Sequence, residues 1–143
     1  DIRIVRIFNT YGPNMDKYDG RVVTNFISQI LNNEAITLYG DGSQTRSFQY
    51  IDDLLDGIIK LMDSEYIYPI NIGNPTEISV KHLASILIDL THSDSKFIYN
   101  PLPLDDPTNR NPDIQLAKKI LNWEPQVELK TGLLNTIKYL QNC

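Results

Sequence analysis

The stretch Thr37-Leu-Tyr-Gly-Asp-Gly-Ser-Gln-Thr-Arg-Ser-Phe-Gln-Tyr-Ile-Asp-Asp53 constrains the fold more than any other, because it sets two glycines around an aspartate between two runs of strand-forming residues. Gly40 and Gly42 supply the positive φ that a tight turn needs, so 37–39 and 44–51 are predicted to be the two strands of a hairpin. Asp52 or Asp53 is predicted to cap the helix that follows. Side chains alternate between faces along a strand, so Arg46 shares a face with Phe48 while Thr45 and Ser47 take the other. A guanidinium steadied by an aromatic ring offers its forked N–H donors in the geometry a phosphate accepts.

With 143 residues, 41% of them hydrophobic and 22% charged, the chain can build one core and has the balance of a water-soluble domain. Its apolar runs are far shorter than the roughly 20 residues of a membrane-spanning helix. The net charge of −5, without a cluster of Lys and Arg, argues against a nucleic-acid surface. A single cysteine, Cys143, excludes an internal disulfide and a cysteine-based metal site. His82 and His92 lack a carboxylate or cysteine at ligand spacing, so no metal is expected. The chain starts at Asp1, without methionine, and enters a strand at once; it reads as a piece of a longer protein. That reading leaves the compartment open.

The first strand, about 2–8, carries Ile2, Ile4, Val5 and Ile7 and is expected to be buried on both faces as in a parallel sheet. Asn9-Thr10-Tyr11-Gly12-Pro13 ends it and places Asn9 and Thr10 at its carboxyl end, the edge where α/β proteins hold ligands. A helix should open at Arg21 and bury Val22, Val23, Phe26, Ile27, Ile30 and Leu31. Further helices are predicted over about 53–62, from the N-cap Ser79 onward, from Asp113 to about 121, and over about 130–140. Short strands are predicted around 68–74 and 96–99. The prolines of 101–107 demand an extended loop, which delivers Arg110. Trp123 is expected between the last two helices. Only the first strand reads as parallel and fully buried. The fold class is therefore α/β, with the last strand of a Rossmann-type domain at about 1–12 and a small mixed α/β domain over about 13–143.

Six blocks, Arg6-Ile-Phe-Asn-Thr-Tyr-Gly-Pro13, Asp19-Gly-Arg-Val-Val23, Tyr39-Gly-Asp-Gly-Ser-Gln-Thr-Arg46, Asn71-Ile-Gly-Asn74, Asn111-Pro-Asp113 and Trp123-Glu-Pro125, keep the order and spacing of one family. The whole chain resembles the C-terminal half of the UDP-glucuronate decarboxylases, which are NAD-dependent extended short-chain dehydrogenases/reductases of the epimerase/dehydratase type. The resemblance implies a cycle on tightly held NAD: hydride leaves C4 of UDP-glucuronate, the 4-keto acid loses CO2, and the hydride returns to give UDP-xylose. A ketone β to the carboxylate accepts the electrons of decarboxylation, so the protein has chiefly to orient the sugar and stabilise charge. No metal is required.

The resemblance also assigns residues. Thr10 and Arg21 are implied to contact the cofactor, and Asn9, Arg21, Asn25, Leu38, Tyr39, Arg46 and Arg110 the UDP-sugar. Arg46 and Arg110 would converge on the diphosphate, with a structural ion pair to Asp52, Asp105 or Asp106 as the alternative. Arg21 stands at a helix N-terminus, where anions are favoured. Leu38 and Tyr39 would line the uracil pocket, with the core as the alternative for the aromatic Tyr39. The family's glycine-rich dinucleotide turn and its Tyr-x-x-x-Lys pair are absent from these residues, so no catalytic residue is assigned here. The isolated chain is expected to be inactive and prone to aggregate, and the complete protein is expected to be a homodimer. A 4,6-dehydratase, a 4-epimerase or a non-catalytic nucleotide-sugar-binding module are the competing readings.

Overall fold

The computed structural model describes residues 1–102 and 111–142, which form eight short strands and five helices. In chain order these are β1 (Val5–Ile7), β2 (Thr10–Tyr11), α1 (Val22–Leu31), β3 (Ile36–Tyr39), β4 (Thr45–Ser47), β5 (Gln49–Tyr50), α2 (Ile51–Met62), β6 (Ile70–Ile72), β7 (Glu77–Ser79), α3 (Val80–Thr91), β8 (Phe97–Asn100), α4 (Gln115–Leu121) and α5 (Leu129–Gln141). Three pairs of strands run parallel, β1 with β6, β2 with β5 and β3 with β8, and one pair, β4 with β7, is antiparallel. Parallel pairing is thus not confined to the first strand, as the apolar pattern implied. Each parallel pair is bridged by intervening helix, the connection such strands require.

The predicted hairpin is corrected. The glycine turn exists, with φ of 61° at Gly40 and 76° at Gly42, yet β3 and β4 do not pair. The carbonyls of Gly42 and Gln44 accept from Lys81 N and Val80 N, each at 3.0 Å, at the start of α3. Those amides are among the unpaired donors of a helix N-terminus. They draw the returning segment onto β7 and α3, and β3 is left to pair with β8.

Two apolar clusters carry the packing. The larger joins Phe26, Ile27 and Ile30 of α1 to Ile36 and Leu38 of β3, Leu83 and Leu87 of α3, Leu133 and Ile137 of α5, and the rings of Tyr11, Phe48 and Tyr50. The smaller gathers Leu54 and Leu61 of α2, Ile70 and Ile72 of β6, Ala117 and Leu121 of α4, and Trp123. Trp123 therefore packs against α2 and β6 as well as α4, and not between the last two helices. Its indole N–H donates to the carbonyl of Asp53 at 3.0 Å.

Asp53 explains why the chain turns here. Helix α2 starts about two residues earlier than expected, with Tyr50 rather than Asp52 or Asp53 at the N-cap and no side-chain cap. The Asp53 carboxylate instead accepts from Gln126 N at 2.9 Å and Val127 N at 3.1 Å, fastening the turn after α4 to the first turn of α2. Ser79 caps α3 as predicted, accepting from His82 N at 3.1 Å. Helix α4 begins at Gln115, after Ile114 at the N-cap position, and Asp113 accepts from Gln115 N at 2.9 Å. Within the described residues β1 is shorter than predicted and is not buried on both faces: Ile2, Ile4 and Ile7 are exposed.

Candidate functional site

The site is built where β1 gives way to β2. Gln49 N donates to Asn9 O at 2.9 Å and β2 pairs with β5 in register Thr10 to Gln49, so the carboxyl end of the first strand is held against the segment that carries Arg46. Arg46, in β4, precedes that contact by three residues. Across from both, α1 presents its N-terminus. The result is a cavity of about 880 Å³ whose wall includes Asn9, Thr10, Arg21 and Arg46, together with Phe48 and Met15. Four of the residues singled out from sequence thus meet in one place. Its size falls in the range of small-molecule and cofactor sites.

A second cavity of about 250 Å³ lies on the other side of Gly20 and Val22 and is lined by Asn25, Tyr39, Gln44 and, again, Arg46. Arg46 belongs to both walls, as a group spanning two halves of a ligand should. Its Nη1 donates to Thr45 O at 2.8 Å, which fixes one edge of the guanidinium. Phe48 lines the larger cavity beside it, as the strand alternation required.

Arg21 sits at the N-cap of α1 with its side chain 67% exposed. Its Nε lies 3.4 Å from Asp19 Oδ2, while Asp19 Oδ1 accepts from Arg21 N at 3.0 Å and from the Thr24 hydroxyl at 2.5 Å. Asp19 was not assigned a role from sequence, though an aspartate two residues before a helix cap is the pattern of a local side-chain turn. It anchors the loop that carries Arg21. Asn25 donates through Nδ2 to Gly20 O at 3.0 Å, closing the same loop from one turn further on.

Tyr39 is 46% exposed at the smaller cavity, consistent with a ligand-facing ring. Gln44, unassigned from sequence, fixes this edge by donating through Nε2 to Tyr39 O at 3.0 Å. Leu38 is fully buried in the larger apolar cluster and lines neither cavity, which corrects its expected place in a uracil pocket. The reason is the strand period: neighbouring side chains in β3 take opposite faces, and only one faces outward. Arg110, with Asp105 and Asp106, lies outside the described residues.

Tyr11 also touches the larger cavity, but its phenol is a structural group. Burial, reinforced by the neighbouring Tyr50 and Asp53, pushes its pKa above the ordinary tyrosine value, and its hydroxyl donates to Leu129 O at 3.1 Å. It stays protonated and engaged. His82 and His92 are exposed, and among the described residues no group of three His, Cys, Asp or Glu side chains is placed to hold a metal ion.

Known proteins share much of this sequence and fold. The chain is 48% identical over 138 residues to UDP-glucuronic acid decarboxylase 4 of Arabidopsis thaliana, covering 96% of this chain and 31% of that protein. It is 49% identical over 139 residues to UDP-glucuronic acid decarboxylase 1 of Danio rerio, covering 97% of this chain and 33% of the relative. The chain thus spans about a third of the length of these relatives. Among solved structures, the UDP-glucose 4-epimerase of Thermotoga maritima with UDP-glucose superposes with a TM-score of 0.92 at 32% identity, over 96% of this chain and 45% of that one. The UDP-glucuronic acid 4-epimerase of Bacillus cereus, in complex with UDP-glucuronic acid and NAD, gives 0.91 at 29% identity, over 98% of this chain and 45% of that one. The fold is that of the Rossmann-type NAD-dependent epimerases. The family model described as the NAD dependent epimerase/dehydratase family matches residues 1–73, which hold Asn9, Thr10, Arg21, Asn25, Tyr39 and Arg46, and the chain belongs to that family.

Proposed function

We propose that this chain is the nucleotide-sugar-binding portion of a UDP-glucuronate decarboxylase, working within a longer protein that supplies the proton-transfer residues. One observation carries the reading: Asn9, Thr10, Arg21 and Arg46 line a single cavity, and Arg46 reaches from it into the neighbouring one with Asn25 and Tyr39. An amide, a hydroxyl, two guanidiniums and an aromatic ring are a donor set for a sugar, a diphosphate and a base. Identities of 48% and 49% to decarboxylases from a plant and a fish favour this reaction among those of the family.

The residues divide the work by chemistry. Arg46, which donates to Thr45 O and lines both cavities, brings the positive charge and planar fork that suit a diphosphate. The exposed ring of Tyr39 and the Asn25 amide offer a stacking surface and a polar edge for the uracil. Asn9 and Thr10 orient the sugar and the carboxamide of the cofactor, and Arg21, its charge only partly met by Asp19 at 3.4 Å, faces the glucuronate carboxylate. The carboxamide of NAD fits this donor set, because it asks for neutral donors and acceptors such as Asn9 and Thr10; when bound, the cofactor would supply reversible hydride removal at C4. The chain's own part is to hold the sugar so that the C4 hydrogen and the carboxylate stand in fixed orientation, which is where most of the barrier reduction in such a reaction resides. We further propose that the complete protein acts as a homodimer, a reading supported by the family resemblance alone.

The similar solved structures are 4-epimerases, so product analysis is the deciding experiment. Incubated with UDP-glucuronate, the complete protein is expected to release CO2 and form UDP-xylose. Formation of the 4-epimer without CO2 would make it an epimerase, and binding without turnover would make it a non-catalytic module.

A further inference from the structure

Gln49 is buried to 1% exposure inside a parallel strand pair, an expensive place for an amide. Its Nε2 donates to the Thr10 hydroxyl at 2.9 Å and to Ile72 O at 3.1 Å. Its backbone N donates to Asn9 O at 2.9 Å. Among the described residues its Oε1, also buried, meets no donor. The side chain lines neither cavity of the site. An apolar residue of similar volume would remove the unsatisfied oxygen, so packing does not account for a glutamine here.

The contacts do account for it. The Thr10 hydroxyl donates its one proton to Phe8 O at 2.8 Å and receives Nε2–H of Gln49. A hydroxyl has one proton and two lone pairs, so one lone pair of Thr10 remains for the cavity. The same Ile72 carbonyl that takes Nε2–H also accepts from Phe8 N at 3.1 Å, so β6 is tied to the carboxyl end of β1 directly and to Thr10 through Gln49.

We propose that Gln49 is a positioning residue that fixes Thr10 as a hydrogen-bond acceptor toward the ligand, so that the group meeting Thr10 is an N–H or O–H donor. The inference rests on the proposed nucleotide-sugar site, and it predicts that Gln49 acts through Thr10 and not independently. The donor is either a sugar hydroxyl or the carboxamide of the cofactor, which share this chemistry.

The test is a double-mutant cycle in the complete protein with Gln49→Met, Thr10→Val and the pair, reading kcat and KM for UDP-glucuronate and, separately, NAD affinity by titration of the apoprotein. Each single variant is expected to lower either kcat/KM for UDP-glucuronate or the affinity for NAD by about tenfold, the worth of one good hydrogen bond, and the double variant is expected to match Thr10→Val. A loss in the sugar arm identifies a hydroxyl donor, and a loss in the NAD arm identifies the carboxamide. Losses that multiply, or an unaffected Gln49→Met beside an impaired Thr10→Val, overturn the role of Gln49 and leave the proposed function standing. An unaffected Thr10→Val overturns the inference and leaves the proposed function standing, whereas a wild-type protein that neither binds nor turns over UDP-glucuronate removes both. Thermal unfolding run alongside shows whether Gln49→Met folds, and Gln49→Leu replaces it in the cycle if it does not.

Discussion

At Gly132 the missing side chain is what lets α5 lie on the aromatic cluster beneath the site. A Cβ there would stand 2.8 Å from Tyr50 Cδ2 and 2.9 Å from Tyr11 Cζ, both rings being buried and packed against each other at 5.7 Å. Neither ring is the loose end of a flexible chain, so the helix has to move. Gly132→Ala is expected to destabilise the protein by about 1–3 kcal/mol, the usual cost of overpacking, and to lower its thermal unfolding midpoint. An unchanged midpoint would show that the rings yield freely. Sequence gave no sign of this: a glycine inside a predicted helix looks like a weak position until the partner across the core is known. Gln49 and Asp19 escaped notice for a related reason, since their roles lie in whom they touch. The placement of Arg46 beside Phe48 and of Asn9 just beyond β1 is legible in the sequence, because strand alternation and the end of a strand are local properties.

Among the elements, helix starts were the best-read features where a short polar side chain does the capping. Ser79 is such a case, and Ser79→Ala is expected to cost about 1 kcal/mol through the lost bond to His82 N, measurable in denaturant unfolding. No change would mean that solvent replaces the cap. The start of α2 was misread because two adjacent aspartates suggested a cap, whereas Asp53 is committed to the amides of Gln126 and Val127 over 70 residues away in sequence. The glycines of 40–42 set the turn but not the strand that pairs after it. Turn chemistry dictates where a chain reverses, but the ladder that follows is decided by which long-range donors compete, here Val80 N and Lys81 N. The parallel pairing of β3 with β8, separated by two helices, has no local signal at all.

Across the whole molecule the polar site and the exposed apolar residues are distinct features. Leu55, Ile59 and Met62 recur at helical spacing on α2 and are 49%, 57% and 66% exposed, with Ile2, Ile4 and Ile7 of the first strand segment also exposed. A stripe of this kind on a lone domain promotes association. Expressed by itself, the 143-residue chain is expected to self-associate, and replacing Leu55 and Ile59 by lysine is expected to shift it toward monomer in sedimentation analysis; a wild-type chain already monomeric at high concentration would contradict this. The central claim concerns the other feature, the two cavities joined by Arg46. Its most direct test is calorimetric titration of the complete protein with UDP, wild type against Arg46→Ala. Loss of a charge-assisted contact predicts affinity weaker by at least about tenfold with the fold intact. Equal affinity in the two proteins would mean that the diphosphate is held elsewhere and that these cavities are not its site.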